Sequence, residues 1–172
     1  DLGPAAFRTL RMIGWLSRLF APARSSVDTA TSRDAQRLSQ LHRASFHRGW
    51  GVNEFEAMLA ERNTLAHRLM QSRSVIGFVI SRIVADEAEI LSVAVEPARR
   101  GRGHSRQLLA IHLGHLAGRG VRRVFLEVEE NNQPAVRLYE RAGFATVGRR
   151  EQYYASESGA KLNALVMQRD LS

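Results

Sequence analysis

The chain contains no cysteine, which excludes disulfides, thiolate zinc sites and a cysteine nucleophile. Lysine is almost as scarce: of 25 basic residues, all but Lys161 are arginine. Coding preference accounts for that bias as well as function does, yet the net charge of +8 implies attraction to polyanions such as nucleotide phosphates or RNA. The six histidines show no His-Glu-x-x-His spacing, so no metal is implied and structural or surface roles account for each. No apolar run reaches the roughly 18 residues that a membrane-crossing helix needs, so no transmembrane segment is expected and the protein is read as cytoplasmic. Internal repeats and low-complexity tracts are missing too. What is present, 172 residues with a 44% hydrophobic fraction, suits one folded domain with a short extension.

Residues 1–26 stand apart. On a helical wheel Leu2, Leu10, Ile13, Leu16 and Phe20 share one side while Arg8, Arg11 and Arg18 share the other. This basic amphipathic segment is compatible with an anionic membrane surface, a partner, or docking on its own domain. Ala21-Pro22-Ala23 through Ser25-Ser26 reads as a linker, which places the domain at 27–172. Within it, apolar periodicity and turn residues predict a strand at Val27–Ala30, then helices carrying Leu38 and Leu41 and then Phe55 and Met58. Antiparallel strands follow at Leu65–Met70 and Val75–Val84, then a strand at Ile90–Val95 and a helix ending near Gly118–Gly120. A strand at Arg122–Val128, a helix at Ala135–Arg141 and strands at Phe144–Tyr154 and Leu162–Arg169 complete the order β α α β β β α β α β β. That order describes a mixed α/β sheet.

The chain is organised around the stretch from Ile90 to Leu116. The Ile90–Val95 strand breaks at Glu96-Pro97, passes through Arg100-Gly101-Arg102-Gly103-His104-Ser105 and enters the helix carrying Leu108, Leu109 and Leu113. Such a loop aims several backbone N–H groups at one point before a helix N-terminus, where the unsatisfied amides and the helix dipole favour an anion. Gly101 and Gly103 permit close approach, and Arg100, Arg102 and Arg106 add positive charge. A pyrophosphate suits it, as does the blander reading of a solvated basic loop or a nucleic-acid contact. The loop is neither a P-loop, lacking Gly-Lys-Ser/Thr, nor a Rossmann fingerprint, lacking the third glycine.

About 30 residues further on the chain reads LEVEENNQPAVRLYERAGF, Leu126 to Phe144. Together with SVAVEPARRGRGHS and the element order, this stretch resembles the GNAT superfamily of N-acetyltransferases from Val27 to Leu171. The superfamily's phosphate loop, Gln/Arg-x-x-Gly-x-Gly/Ala, is matched by Arg100, Gly103 and Ser105, with Ser105 departing from the usual Gly or Ala. The C-terminal half, with LYE, RREQYY and the final ALVM, is most similar to the ribosomal-protein-alanine acetyltransferases. The resemblance implies a central, mostly antiparallel mixed sheet flanked by helices, with acetyl-CoA bound where the central strands splay. It implies Glu127 as general base and Tyr139 as general acid. It also implies backbone contacts from Val93, Ala94 and Val95 to the pantetheine arm, a pyrophosphate held by residues 101–106 with Arg100, and a cofactor contact from Asn132. The acceptor implied is a protein N-terminus, in particular the N-terminal alanine of a ribosomal protein, with no direct nucleic-acid role and no metal.

Chemistry alone points the same way. Acetyl transfer needs a neutral amine, so a carboxylate at a strand end in the cleft can take the proton. A backbone N–H at an irregularity of the Ile90 strand, near Val93 to Val95, can stabilise the charge that develops on the thioester carbonyl. A phenol can protonate the departing thiolate. Structural roles stand beside each: a solvated acid for Glu127, a core aromatic for Tyr139, a helix cap for Asn132. Trp50 and Tyr153-Tyr154 are candidates for the wall of an acceptor groove or for the core. Two rival functions remain: a lysine or small-molecule amine acetyltransferase on the same fold, and a non-catalytic RNA- or ribosome-binding module.

Overall fold

Seven extended segments produce one sheet with both faces partly covered. In the computed structural model, which describes residues 23–155, 158, 159 and 161–171, the side chains of 152–155 excepted, the strands are β1 Ser25–Thr29, β2 Thr64–Gln71, β3 Ser74–Val84, β4 Glu87–Val95, β5 Arg123–Glu129, β6 Ala145–Ala155 and β7 Lys161–Asp170. They lie in the order β1-β2-β3-β4-β5-β7-β6, antiparallel throughout except for the parallel pair β4 and β5. Hairpins join the antiparallel neighbours β2, β3 and β4. Ser72 and Arg73, both left-handed at φ 47° and 68°, make the two-residue turn whose twist matches the flanking strands. A parallel pair cannot be closed by a hairpin, and the crossover here is the glycine loop and its helix. The expected mixed, mostly antiparallel sheet is thus observed. The N-terminal amphipathic segment lies outside the described residues.

One boundary moves. Ser25 and Ser26, read as linker, are the first residues of β1 and pair with Gln71 and Met70. Ser25 Oγ also donates to Gln107 Oε1 at 2.7 Å, and Gln71 Nε2 donates to the Ala23 carbonyl at 2.8 Å. Two serines after an Ala-Pro-Ala break look like linker, and only the pairing with β2 makes them strand.

The helices divide between the faces. α1 (Ala35–Arg43) and α2 (Val52–Ala60) bury Leu38, Leu41 and Phe55 against Ala66, Phe78, Ile80 and Ala94. On the opposite face α3 (His104–Gly118) and α4 (Gln133–Arg141) bury Leu108, Leu109, Leu113, Leu116, Val136 and Tyr139 against Val79, Ile90, Val124, Leu126, Val128 and Met167. The first face is therefore covered over β2 to β4 by α1 and α2, whose core includes no residue of β5 to β7.

Beneath α3 the core holds a polar thread. His67 Nδ1 and His112 Nδ1 lie 2.8 Å apart, and Ser81 Oγ lies 2.7 Å from His112 Nε2. His67 Nε2 is buried with no partner, so placing that nitrogen's lone pair there, rather than an N–H, costs least. His67 Nδ1–H then donates to His112, and His112 Nε2–H donates to Ser81. Both rings are held neutral: burial lowers His67 to about 4 and His112 to about 3, with neighbouring basic groups adding to the effect.

Candidate active site

The parallel ladder is short. β4 pairs with β5 only from Glu87–Arg123 to Ile90–Leu126, although β4 runs on to Val95 and β5 to Glu129. Where the ladder stops, the strands part. The cause lies in β4: its register against β3 slips between Ile90 and Ser92, leaving Leu91 as an extra residue, and a bulge bends its strand. Its effect shows in the packing, since Ala88 and Ile90 face α3 while Leu91 and Ala94 pack with the opposite core. Sequence reasoning placed this irregularity near Val93 to Val95; it sits at Leu91, and no residue type in the run marks it.

Past the bulge the backbone of β4 is exposed to the gap. The Glu96 N–H donates to the Ile76 carbonyl at 2.7 Å, so by the alternation of an antiparallel ladder Ala94 bonds toward β3. Val93 and Val95 turn their N–H and C=O groups the other way, into the gap between β4 and β5. Ala94 itself is occupied with β3 and faces the α1 side. Within the gap, Arg100 Nε donates to the Val95 carbonyl at 3.0 Å, and Arg100 Nη2 donates to Ser45 Oγ at 2.8 Å. Arg100 thus ties the loop to β4 and to the segment between α1 and α2.

The loop has the shape an anion needs. Gly101 and Gly103 have φ of 76° and 79°, and a Cβ built on either meets nothing within 4 Å. Left-handed backbone with open space in front of it is what glycine permits and other residues resist. Gly103 caps α3, so the N–H groups of His104, Ser105 and Arg106 have no intrahelical acceptor, while Gln107 N–H already bonds to the Gly103 carbonyl at 3.1 Å. The base of the loop is anchored by Glu96, which accepts from Arg37 at 2.8 Å and Arg99 at 3.3 Å. Arg102 and Arg106 are exposed at its rim. His104 offers only its backbone here, because its ring is buried. These features fit a pyrophosphate and a pantetheine arm.

Glu127 and Tyr139 approach from the two faces of β5. Glu127 stands opposite Val166 in the ladder with β7 and points to the face that α1 and α2 leave uncovered. There it lines a trough of about 320 Å³ with Arg82, Glu87, Glu89, Phe125 and Arg150. Its Oε1 lies 3.1 Å from Arg150 Nε on β6. Tyr139 is buried on the other face, its ring edge-on to Phe144 at 5.9 Å. Asn132 is the N-cap of α4, its Oδ1 accepting from Ala135 N–H at 3.2 Å, so the capping role is real and only its amide N–H₂ group is left to offer a ligand. The remaining acids separate: Glu130 accepts from Arg149 at 2.8 and 2.9 Å and from Asn163 at 3.0 Å, and these bonds, Arg149 first, hold its carboxyl below the usual range. Trp50 stacks on His42 at 4.4 Å within the α1–α2 core, while the side chains of Tyr153 and Tyr154 lie outside those described. Sequence reasoning missed Arg150 as the partner of Glu127, and Ser45 as the partner of Arg100. Both links join residues far apart in the chain, and no local spacing signals them.

A sheet that parts after its one parallel pair, with a glycine loop and helix N-terminus beside the gap and a carboxylate next to it, is the architecture of an N-acetyltransferase. The model of the acetyltransferase (GNAT) family matches residues 35–144, and the chain belongs to that family; it is an acetyl-CoA-dependent N-acetyltransferase. Over 143 residues it is 34% identical to the [ribosomal protein bS18]-alanine N-acetyltransferase of Haemophilus influenzae, covering 83% of this chain and 97% of that one. Its Escherichia coli counterpart is 32% identical over 143 residues, with 83% and 93% covered. The crystal structure of the Escherichia coli ribosomal-protein-S18-alanine N-acetyltransferase superposes with a TM-score of 0.82 at 27% identity, covering 87% of this chain and 95% of that one.

Proposed function

We propose that this enzyme acetylates the N-terminal α-amine of a protein, with an alanine-initiated ribosomal protein as the acceptor, in the cytoplasm. The observation that carries the reading is the gap between β4 and β5, flanked by the glycine loop and by the trough that Glu127 lines. The names of the relatives just described supply the acceptor class. When bound, acetyl-CoA supplies an activated acetyl thioester. Arg102, Arg106 and the N–H groups of residues 101–106 hold its pyrophosphate, and the Val93 and Val95 backbone groups align its pantetheine arm. Asn132 adds its amide N–H₂. A backbone N–H of β4 beyond Leu91 stabilises the charge that develops on the carbonyl oxygen.

Glu127, reached from the trough, takes the proton that an α-ammonium must lose before it can attack. Tyr139, on the other side of β5, returns a proton to the leaving sulfur. An α-amine, with pKa near 7.7 to 8.0, is roughly 10–15% neutral at pH 7, against well under about 0.1% for a lysine near 10.4. One carboxylate base therefore suits an N-terminus better than a side-chain amine. Turnover against short peptides with free N-termini, beside lysine peptides with blocked ones, tests the assignment. Faster acetylation of an Ala-initiated peptide is expected; faster acetylation of a blocked lysine peptide or of a small amine overturns the acceptor.

A further inference from the structure

The Glu127–Arg150 ion pair sets a problem for a base that must receive a cation. The Glu127 side chain is 16% exposed, and its Oε1 is engaged by a guanidinium 3.1 Å away on a side chain that is 57% exposed. An arriving α-ammonium and Arg150 thus compete for one carboxylate inside one trough. We propose that Arg150 is a displaceable counter-cation: it holds Glu127 while no acceptor is present and yields the carboxylate to the acceptor's ammonium group. The proposal rests on the reading of Glu127 as the acceptor's base.

Three features of β6 and its neighbours suit an arginine that lets go. First, the register of β6 against β7 slips just beyond it, with Arg150 opposite Ala164 but Tyr154 already opposite Leu162, so Arg150 is the last of the three consecutive pairs between two slips of this ladder. Second, the adjacent Arg149 is clamped on the other face by two bonds to Glu130 at 2.8 and 2.9 Å. The strand is thereby anchored one residue before Arg150, and the Arg150 side chain can leave without the backbone following. Third, Gly148 stands opposite Val166, which is itself opposite Glu127. No side chain at 148 walls the carboxylate off from the trough. Arg150 is a positioning residue in this scheme, since it acts on the acceptor only through Glu127.

The scheme separates binding from turnover. Exchanging one cation for another leaves the charge at the carboxylate unchanged, whereas without Arg150 the ammonium meets an uncompensated negative charge. Arg150→Gln is therefore expected to lower the KM for an Ala-initiated peptide about two- to five-fold at low salt, the range that a partly exposed ion pair spans. kcat stays the same, because Arg150 has already left in the bound state. The difference fades toward about 1 M salt, where the screening length is near 3 Å, and Arg150→Lys restores the parent KM. A KM that rises, a fall in kcat at constant KM, or a change in KM indifferent to salt overturns the proposal, because each means that Arg150 stays in place and supports the site. Glu127→Gln in the same assay keeps the two readings apart: undiminished kcat there removes the base assignment, whereas failure of the exchange is read in Arg150→Gln alone.

Discussion

In the proposed site Gly103 holds and Tyr139 reacts, so their substitutions separate two measured quantities. Gly103→Glu places a carboxylate before the helix N-terminus at a residue with φ of 79°. Two like charges at contact cost about 4 kcal/mol at an effective dielectric near 20, so calorimetry should show acetyl-CoA affinity falling on the order of 100-fold or more. Tyr139→Phe keeps the ring that packs on Phe144 and removes only the hydroxyl. A general acid contributes roughly 100-fold or more, so kcat should fall by about that factor while the acetyl-CoA Kd changes less than about two-fold. Equal losses in both quantities would make Tyr139 a packing residue. These two residues stand out in the sequence as candidates because their signals are local: a glycine pair before a helix, and a tyrosine at fixed distance from an Asn and a Gly-Phe. Arg150 was not, because its partner lies on another strand.

Among the elements, α3 begins at the glycine loop proposed to hold the anion and contributes His112 to the buried histidine thread, between His67 of β2 and Ser81 of β3. The thread, together with His42, adds an acid-sensitive contribution to stability. His42 accepts from the Trp50 N–H at 3.0 Å and is stacked between aromatic rings; burial lowers it to about 4. A histidine whose folded value lies below its unfolded value of about 6.5 takes up its proton more readily when unfolded. Stability is therefore full above about pH 6.5 and declines as the pH falls toward about 4 for His42 and His67 and about 3 for His112. Thermal melts between about pH 4 and 8 should show Tm falling steadily below 6.5. A His67→Phe/His112→Leu double variant should lose part of that slope, whereas His112→Ala alone, which strands His67 and Ser81 and leaves a cavity, should cost about 3 kcal/mol near pH 7 and less as the pH falls, since it also removes a titrating ring. An unaltered slope in the double variant would show that the thread does not titrate as described. Periodicity placed α3 and its neighbours correctly because their apolar stripes are strong. The pairing of His67 with His112 was out of reach, since it depends on how β2 and α3 meet.

For the whole molecule, the order of strands is what turns local motifs into a site. One parallel pair amid antiparallel neighbours creates a single place where two adjacent strands can part, and the Leu91 bulge makes them do so. Element order in the sequence was sufficient to read the mixed sheet, whereas the bulge and the start of β1 depend on partners elsewhere in the chain. Ser25 and Ser26 belong to the sheet, so the length of chain that can be removed from the N-terminus is sharply limited. A chain beginning at Ala23 should keep the parent kcat/KM and Tm. One beginning at Val27 loses the pairing with Gln71 and Met70 and the Ser25–Gln107 bond, and should melt several degrees lower. The central claim, that an amine loses its proton to Glu127 in this gap, is tested most directly by the pH profile of Glu127→Gln. Measured as kcat/KM on an Ala-initiated peptide from about pH 6 to 9.5, the deficit of the variant should be largest near neutrality. It should shrink as the pH passes the acceptor's own value of about 8, where the amine arrives already neutral; a deficit that stays constant across the range would contradict the account.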